Sequence, residues 1–298
     1  MKTFRPVVWL SWLIVALALL AAIVGLFYPT EGKTFFFTPL RGDPVLIYGR
    51  GLYRYDTPIA ALSFKGADII TLVLAIPLLI LGTVYYKRGR LKGGFLLAGV
   101  LAYFLYNYGG MAFGAAYNNL FLVYVTLFSA SLFAFILVLL SFDVPMLPYH
   151  FARSLPRRAI SIFLIVSGII LALIWLGLSI LPALFLGRVP AEVASYTTFV
   201  TGVIDLAIIA PALIVAGGLL LRKVPAGYLL ASTILVFTAT LGPNLITGSL
   251  WQMLAGVISI GQAIGFSVPF AILTLIAIYF TVVLFRNISD LPPTPQGS

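Results

Sequence analysis

The sequence predicts an all-α polytopic membrane protein of about eight transmembrane helices, with one outer loop carrying a short β-hairpin. Two numbers carry that prediction: 62% of the 298 residues are hydrophobic and only 9% are charged, where a soluble domain carries roughly 25% charge. The third observation is spacing. The apolar side chains lie in runs of about 20 or more, the length that crosses about 30 Å of hydrocarbon.

The first run covers 7–28, after Lys2 and Arg5. It exceeds the roughly 7–15 residues of a signal h-region and no clean small-x-small site follows, so it reads as a retained span. The next spans are expected over 67–86, 93–113 and 118–140, then over 160–184, 198–221, 226–246 and 257–285. Pro269 can kink the last, because its ring removes a backbone donor.

Charge fixes the expected topology. Lys2, Arg5, Lys87, Arg88, Arg90, Lys92, Arg153, Arg157, Arg158, Arg222, Lys223 and Arg286 fall in alternate connections, so eight crossings put all twelve on one side. Lys33, Arg41, Arg50, Arg54, Lys65 and Arg188 fall on the other, five of them in one long loop. Short loops decide orientation, so both ends are expected in the cytoplasm, in a plasma or inner membrane. The net charge of +10 then reflects contact with anionic lipid rather than nucleic acid.

Two stretches look alike. "IPLLILGTVYYKRGRLKGGFLLAGVLAYF" begins at Ile76 and "APALIVAGGLLLRKVPAGYLLASTILVF" at Ala210. Pro77 matches Pro211, a basic turn follows each, and "GFLLAG" matches "GYLLAS" after a one-residue slip. They suggest a 4+4 parallel internal repeat: one half over 1–150 with the outer loop 29–66, a second over 151–287, then a disordered tail over 288–298. Parallel repeats of this kind occur in some transporters.

The outer loop contains Val45-Leu46-Ile47-Tyr48, then Gly49-Arg50-Gly51, then Leu52-Tyr53-Arg54-Tyr55. Two β-prone runs around a glycine turn predict a hairpin there. As function it offers a lid or a docking surface for a protein partner, with Arg50, Arg54, Tyr53 and Tyr55 the residues to test. As structure it is a cap over the helix ends.

Asp205 stands alone in the sixth apolar run. An acid in hydrocarbon costs at least about 2.5–3.5 kcal/mol, so it should face the protein or water. Asp205 lies 17 residues before Arg222, about 25 Å at about 1.5 Å per residue, hence in the outer third of the span. Thr198, Thr201 and Asp205 share a helical face. In the register set by the prolines Thr71 falls opposite Asp205, and Asp68 lies one turn farther out. These five with Asn107 are the expected ion or substrate pathway, and Tyr108, Asn118, Asn119, Asn244 and Gln262 are weaker candidates. The alternative is a carboxylate tied to polar partners at a helix seam. Gly110 with Gly114, and Gly261 with Gly265, suggest close helix packing.

Several classes are disfavoured. There is no cysteine and a single histidine, His150, too few for the usual zinc, haem or iron–sulfur sites. HExxH, GxSxG and phosphate-loop patterns are missing, so an enzyme is the weaker expectation and no cofactor or metal is expected. Two function classes remain. One is a small-solute or ion permease with its pathway between the halves; the other is a non-transporting subunit or sensor that docks a partner through the outer loop.

Overall fold

The computed structural model describes residues 1–40 and 42–290; Arg41 and 291–298, which include most of the expected tail, lie outside the described residues. Eight helices are long and apolar enough to cross a membrane: α1 (Arg5–Phe27), α2 (Pro58–Lys87), α3 (Leu91–Gly114), α4 (Phe121–Leu140), α5 (Arg157–Phe185), α6 (Val200–Leu221), α7 (Pro225–Leu254) and α8 (Ile260–Arg286). The chain is thus an integral, multi-pass membrane protein in a lipid bilayer.

Most boundaries fall close to expectation, with two exceptions. The loop before α2 is shorter than 29–66, because α2 starts at Pro58 rather than 67. Thr57 caps it by accepting from the Ala60 N–H, and Pro58 occupies the first turn, where its missing donor is harmless. Lys65 and Asp68 had masked those first turns in the hydropathy pattern. At the other end α7 runs on through Pro243 to Leu254, absorbing the segment "LITGSLWQML".

Three helices widen to a π turn: Thr71–Ala75 in α2, Leu176–Ile180 in α5 and Asp205–Ile209 in α6. Each precedes a proline, Pro77, Pro182 or Pro211. A proline ring clashes with the carbonyl one turn back, and a wide turn upstream accommodates the mismatch. Pro243 and Pro269 sit in α7 and α8 without one.

Between α2 and α3, and again between α6 and α7, the backbone follows one path. Each helix ends one residue before a cap, Arg88 or Arg222, which is followed by a residue with positive φ, Gly89 at 70° or Lys223 at 60°. Gly93 then packs on the backbone of Tyr85 and Tyr86, as Gly227 packs on Leu219 and Leu220. The spacing from π turn to packed glycine is identical in both, so the expected one-residue slip is absent from the backbone.

α3 and α7 cross at the centre. A Cβ on Gly99 would meet Val236 and the Thr233 carbonyl within 2.3–2.7 Å, so only glycine allows this approach. Gly66 of α2 lies against the backbone of Gly248 on α7, and Gln252 of α7 donates to the Ile59 carbonyl (3.1 Å) and Ser63 Oγ (2.8 Å). The expected glycine pairs serve this purpose at one position: Gly114 packs on Val200 of α6, whereas Gly110 and Gly265 face open space and Gly261 has only Ser259 within 4.0 Å.

Several of the basic connections meet one another. The Lys2 N–H donates to the Ser141 carbonyl (2.8 Å) and the Phe4 N–H to Tyr86 Oη (3.0 Å), joining the N-terminus to the ends of α2 and α4. Ile288–Asp290, expected as the start of a disordered tail, are ordered. Ser289 pairs with His150, and Asp290 Oδ1 accepts from the Leu91 N–H (2.8 Å) and the Lys92 N–H (3.4 Å). A carboxylate at the start of α3 meets unpaired donors and the positive end of the helix dipole.

The hairpin differs from expectation. Val45–Ile47 forms β2, but its partner is β1 (Phe35–Phe37), with Phe36 opposite Leu46. The glycine turn does form, closed by Gly49 N–H to the Arg54 carbonyl (2.9 Å) and Tyr48 N–H to the Asp56 carbonyl (2.9 Å). Residues 52–55 are turns, because Leu52 and Tyr53 are buried against the helices instead of extending along β2.

Candidate functional site

Two intramembrane acids flank one stretch of α3. Asp205 is buried at the first residue of the α6 π turn. Trp175 Nε1 of α5 donates to its Oδ2 (2.8 Å) and Tyr106 Oη of α3 donates to its Oδ1 (3.0 Å). The carboxylate therefore links α6 to α5 and, across the molecule, to α3. The expected polar stripe does not continue it: Thr198 lies before the helix, and both Thr198 and Thr201 are exposed. Gly202 rather than Thr201 shares the buried face. Of the six pathway candidates, Asp205 stands apart from Asp68, Thr71 and Asn107.

Asp68 and Thr71 belong to a second group, inside α1–α4. Tyr53 Oη donates to Asp68 Oδ2 (2.8 Å), and Thr71 Oγ1 and Tyr103 Oη pair at 3.1 Å. Asp68 lies within electrostatic reach of Tyr103, Tyr108 and Tyr124. Tyr108 approaches Thr71, and Tyr124 approaches Tyr53 and Asn118. Asn107 stands one turn from Tyr103 on α3 and is buried too. Five hydroxyls thus gather near one carboxylate.

The gathering is incompletely paired. Tyr108 Oη, Tyr124 Oη and Asn107 Nδ2 are buried without a hydrogen-bond partner. Each such atom costs about 1–3 kcal/mol. Phenylalanine would fill the same volume at no such cost, so packing alone does not explain the hydroxyls. Gly25 of α1 closes one side; a Cβ there would strike Asp68 Oδ2 and lie 2.7 Å from Tyr53 Oη.

A third acid, Asp56, ties the outer loops together. Its Oδ1 accepts from the Ala116 N–H (2.8 Å) and Tyr196 Oη (2.9 Å), while Oδ2 is buried and unpaired. One carboxylate thereby joins the first outer loop to the α3–α4 and α5–α6 connections. Burial pushes its carboxyl up from 3.8 to about 6, against the two hydrogen bonds that pull it down. A raised carboxyl makes the folded chain hold the proton more tightly than the unfolded one. Its stabilising effect is full below about pH 4 and is lost as pH rises through about 6. Asp56→Asn mimics the protonated acid. Melting temperatures from pH 4 to 7.5 should fall more steeply for wild type than for this variant, by up to roughly 3 kcal/mol across the window at about 1.36 kcal/mol per unit.

The docking-loop candidates divide. Tyr53 is fully buried in the Asp68 group, a role its position in the loop did not announce. Arg50 lies over the Tyr48 ring (5.0 Å) and Arg54 over Tyr55 (4.8 Å), and Arg50 and Tyr55 are exposed. Phe35–Phe37 are exposed as well. Gln262, weighed as a pathway amide, instead completes the capping box of α8 with Ser259. Asn118 and Asn119 serve the loops, through the Ala116 carbonyl and Tyr28 Oη.

Tyr103, Tyr106, Tyr124, Trp175, Asp56 and Tyr196 were not expected as site residues. The signal that could have found most of them is simple: tyrosine or tryptophan deep in an apolar run, far from the interfacial belt, needs a partner for its polar atom. Among the described residues no group of three or more His, Cys, Asp or Glu is placed to hold a metal ion. Comparison with protein-family models, curated proteins and solved structures finds no match to this chain.

Proposed function

We propose that the chain is a small-solute or ion permease built from two parallel four-helix halves, α1–α4 and α5–α8. The observation that carries this reading is the Asp68 group, a buried polar cluster with three unpaired polar atoms that leads inward from the loops at Asp56 through Tyr124 to Thr71. The shared course of α2–α3 and α6–α7 supports the halves. The pathway lies closer to the first half than the sequence suggested, and Asp205 acts at the seam. α3 presents Tyr103 and Tyr108 to one acid and Tyr106 to the other, so a change at the Asp68 group is felt by the inter-half hydrogen bond. The basic face lies in the cytoplasm of a plasma or inner membrane, by the rule that short basic loops stay inside.

Reconstituted vesicles test this. Wild type should carry ions or small neutral solutes faster than empty vesicles, Asp68→Asn should lose that flux, and Asp205→Asn should slow it while remaining folded. Equal leak from wild-type and empty vesicles across a panel of ion and solute gradients sinks the reading. The second reading, a subunit that docks a protein partner, is favoured by one observation: exposed Phe35–Phe37 on a two-stranded sheet with open edges. Phe36→Asp would then abolish association while sparing flux.

A further inference from the structure

We propose that the Asp68 group is a binding site for a monovalent metal cation of about the size of sodium. This inference names the ligand of the permease reading and rests on it only for the claim that the cation moves.

Charge and ligand chemistry both point this way. Asp68 is the single acid in the group, with Lys65 within electrostatic reach on the same helix, and its other polar groups are the Asn107 amide and the neutral hydroxyls of Tyr53, Thr71, Tyr103, Tyr108 and Tyr124. A singly charged ion neutralises that carboxylate, whereas a divalent ion would leave uncompensated charge in a low-dielectric interior. The carboxylate and the five hydroxyls offer oxygens, as hard cations require.

The unpaired hydroxyls separate a metal cation from the other candidates. Tyr108 Oη and Tyr124 Oη are buried, at 0% and 1% residue exposure, and lack partners. Each phenol oxygen has lone pairs to give once its proton turns away. One cation accepts from both oxygens and from the carboxylate together. A proton on Asp68 supplies a single donor and leaves one phenol unpaired. A water molecule pairs both but brings no charge of its own, leaving the buried carboxylate to the Lys65 ammonium alone. The ion would reach the site past Tyr124, which lies within electrostatic reach of both Asp56 and Asp68.

The experiment is thermal unfolding of the full chain in nanodiscs, in sodium, potassium or choline chloride at equal ionic strength. Sodium should raise the melting temperature saturably, because a ligand bound only by the folded state stabilises it. Choline should not. Asp68→Asn should abolish the effect. The double variant Tyr108→Phe with Tyr124→Phe keeps both rings and should weaken apparent sodium affinity by about tenfold or more. The same melting temperature in sodium and choline overturns the site, as does an unchanged affinity in the double variant. A response to acid alone, with none to sodium, assigns the group to a proton and overturns it too. Tracer sodium uptake separates the two claims: binding without uptake keeps the site and removes the claim that the cation moves, and solute flux with no sodium shift in melting temperature removes the site alone.

Discussion

Asp205→Ala should loosen the packing of α6 against α3 and α5 more than any other single truncation in the second half. The change strands two half-buried donors, Trp175 Nε1–H and Tyr106 Oη–H, which both point at the missing carboxylate. An unpaired buried donor costs about 1–3 kcal/mol. Double-mutant cycles in membrane helices average nearer about 0.6 kcal/mol per bond, because side chains find other partners in lipid. Two donors together give an expected loss of about 2 kcal/mol. Asp205→Asn keeps a carbonyl oxygen for one donor and should lose less than half as much. Equilibrium unfolding in mixed micelles, comparing the two variants, checks this. Equal losses from Ala and Asn would show that charge, and not hydrogen bonding, holds the seam.

Gly66→Leu should be worse. A side chain at Gly66 enters the backbone of Gly248, with the added Cβ 2.5 Å from its nitrogen and 2.7 Å from its Cα. Overpacking into flexible side chains costs typically about 1–3 kcal/mol, and here the obstacle is main chain that cannot turn aside. α2 and α7 must separate, which also breaks the Gln252 bonds to Ile59 and Ser63. The expected cost is at the top of that range or above, seen as a lower midpoint of unfolding and lower yield of folded protein. Gly265→Leu, at a site with nothing within 4 Å, is the matched control and should be close to neutral.

Span number was legible because it rests on a one-dimensional signal. Apolar length reports crossing, and Lys87–Lys92 and Arg222–Lys223 punctuate the chain wherever it turns. Site geometry was not. Asp205 was visible as an acid out of place, yet its partners Tyr106 and Trp175 stand far away in sequence, and tyrosine in a helix looks like any aromatic until a carboxylate meets it. The Thr198–Thr201–Asp205 stripe assumed a regular helix from 198. Val200 begins α6 and the π turn begins at Asp205, so the assumed face does not persist. The hairpin was half legible: the glycine turn was marked by Gly49 and Gly51, but Phe35–Phe37 lack the alternation that marks a half-buried strand.

One consequence concerns the order of assembly. Asp290, the last described residue, supplies the acceptor for the first amides of the third crossing, and Asn287 and Ser289 clasp the strand between His150 and Ser154. Those amides wait uncapped until synthesis has reached Asp290, 199 residues after Leu91. The basic surface therefore closes only once residues 287–290 have been made, and a chain cut after Arg286 would insert all its helices yet leave that closure undone.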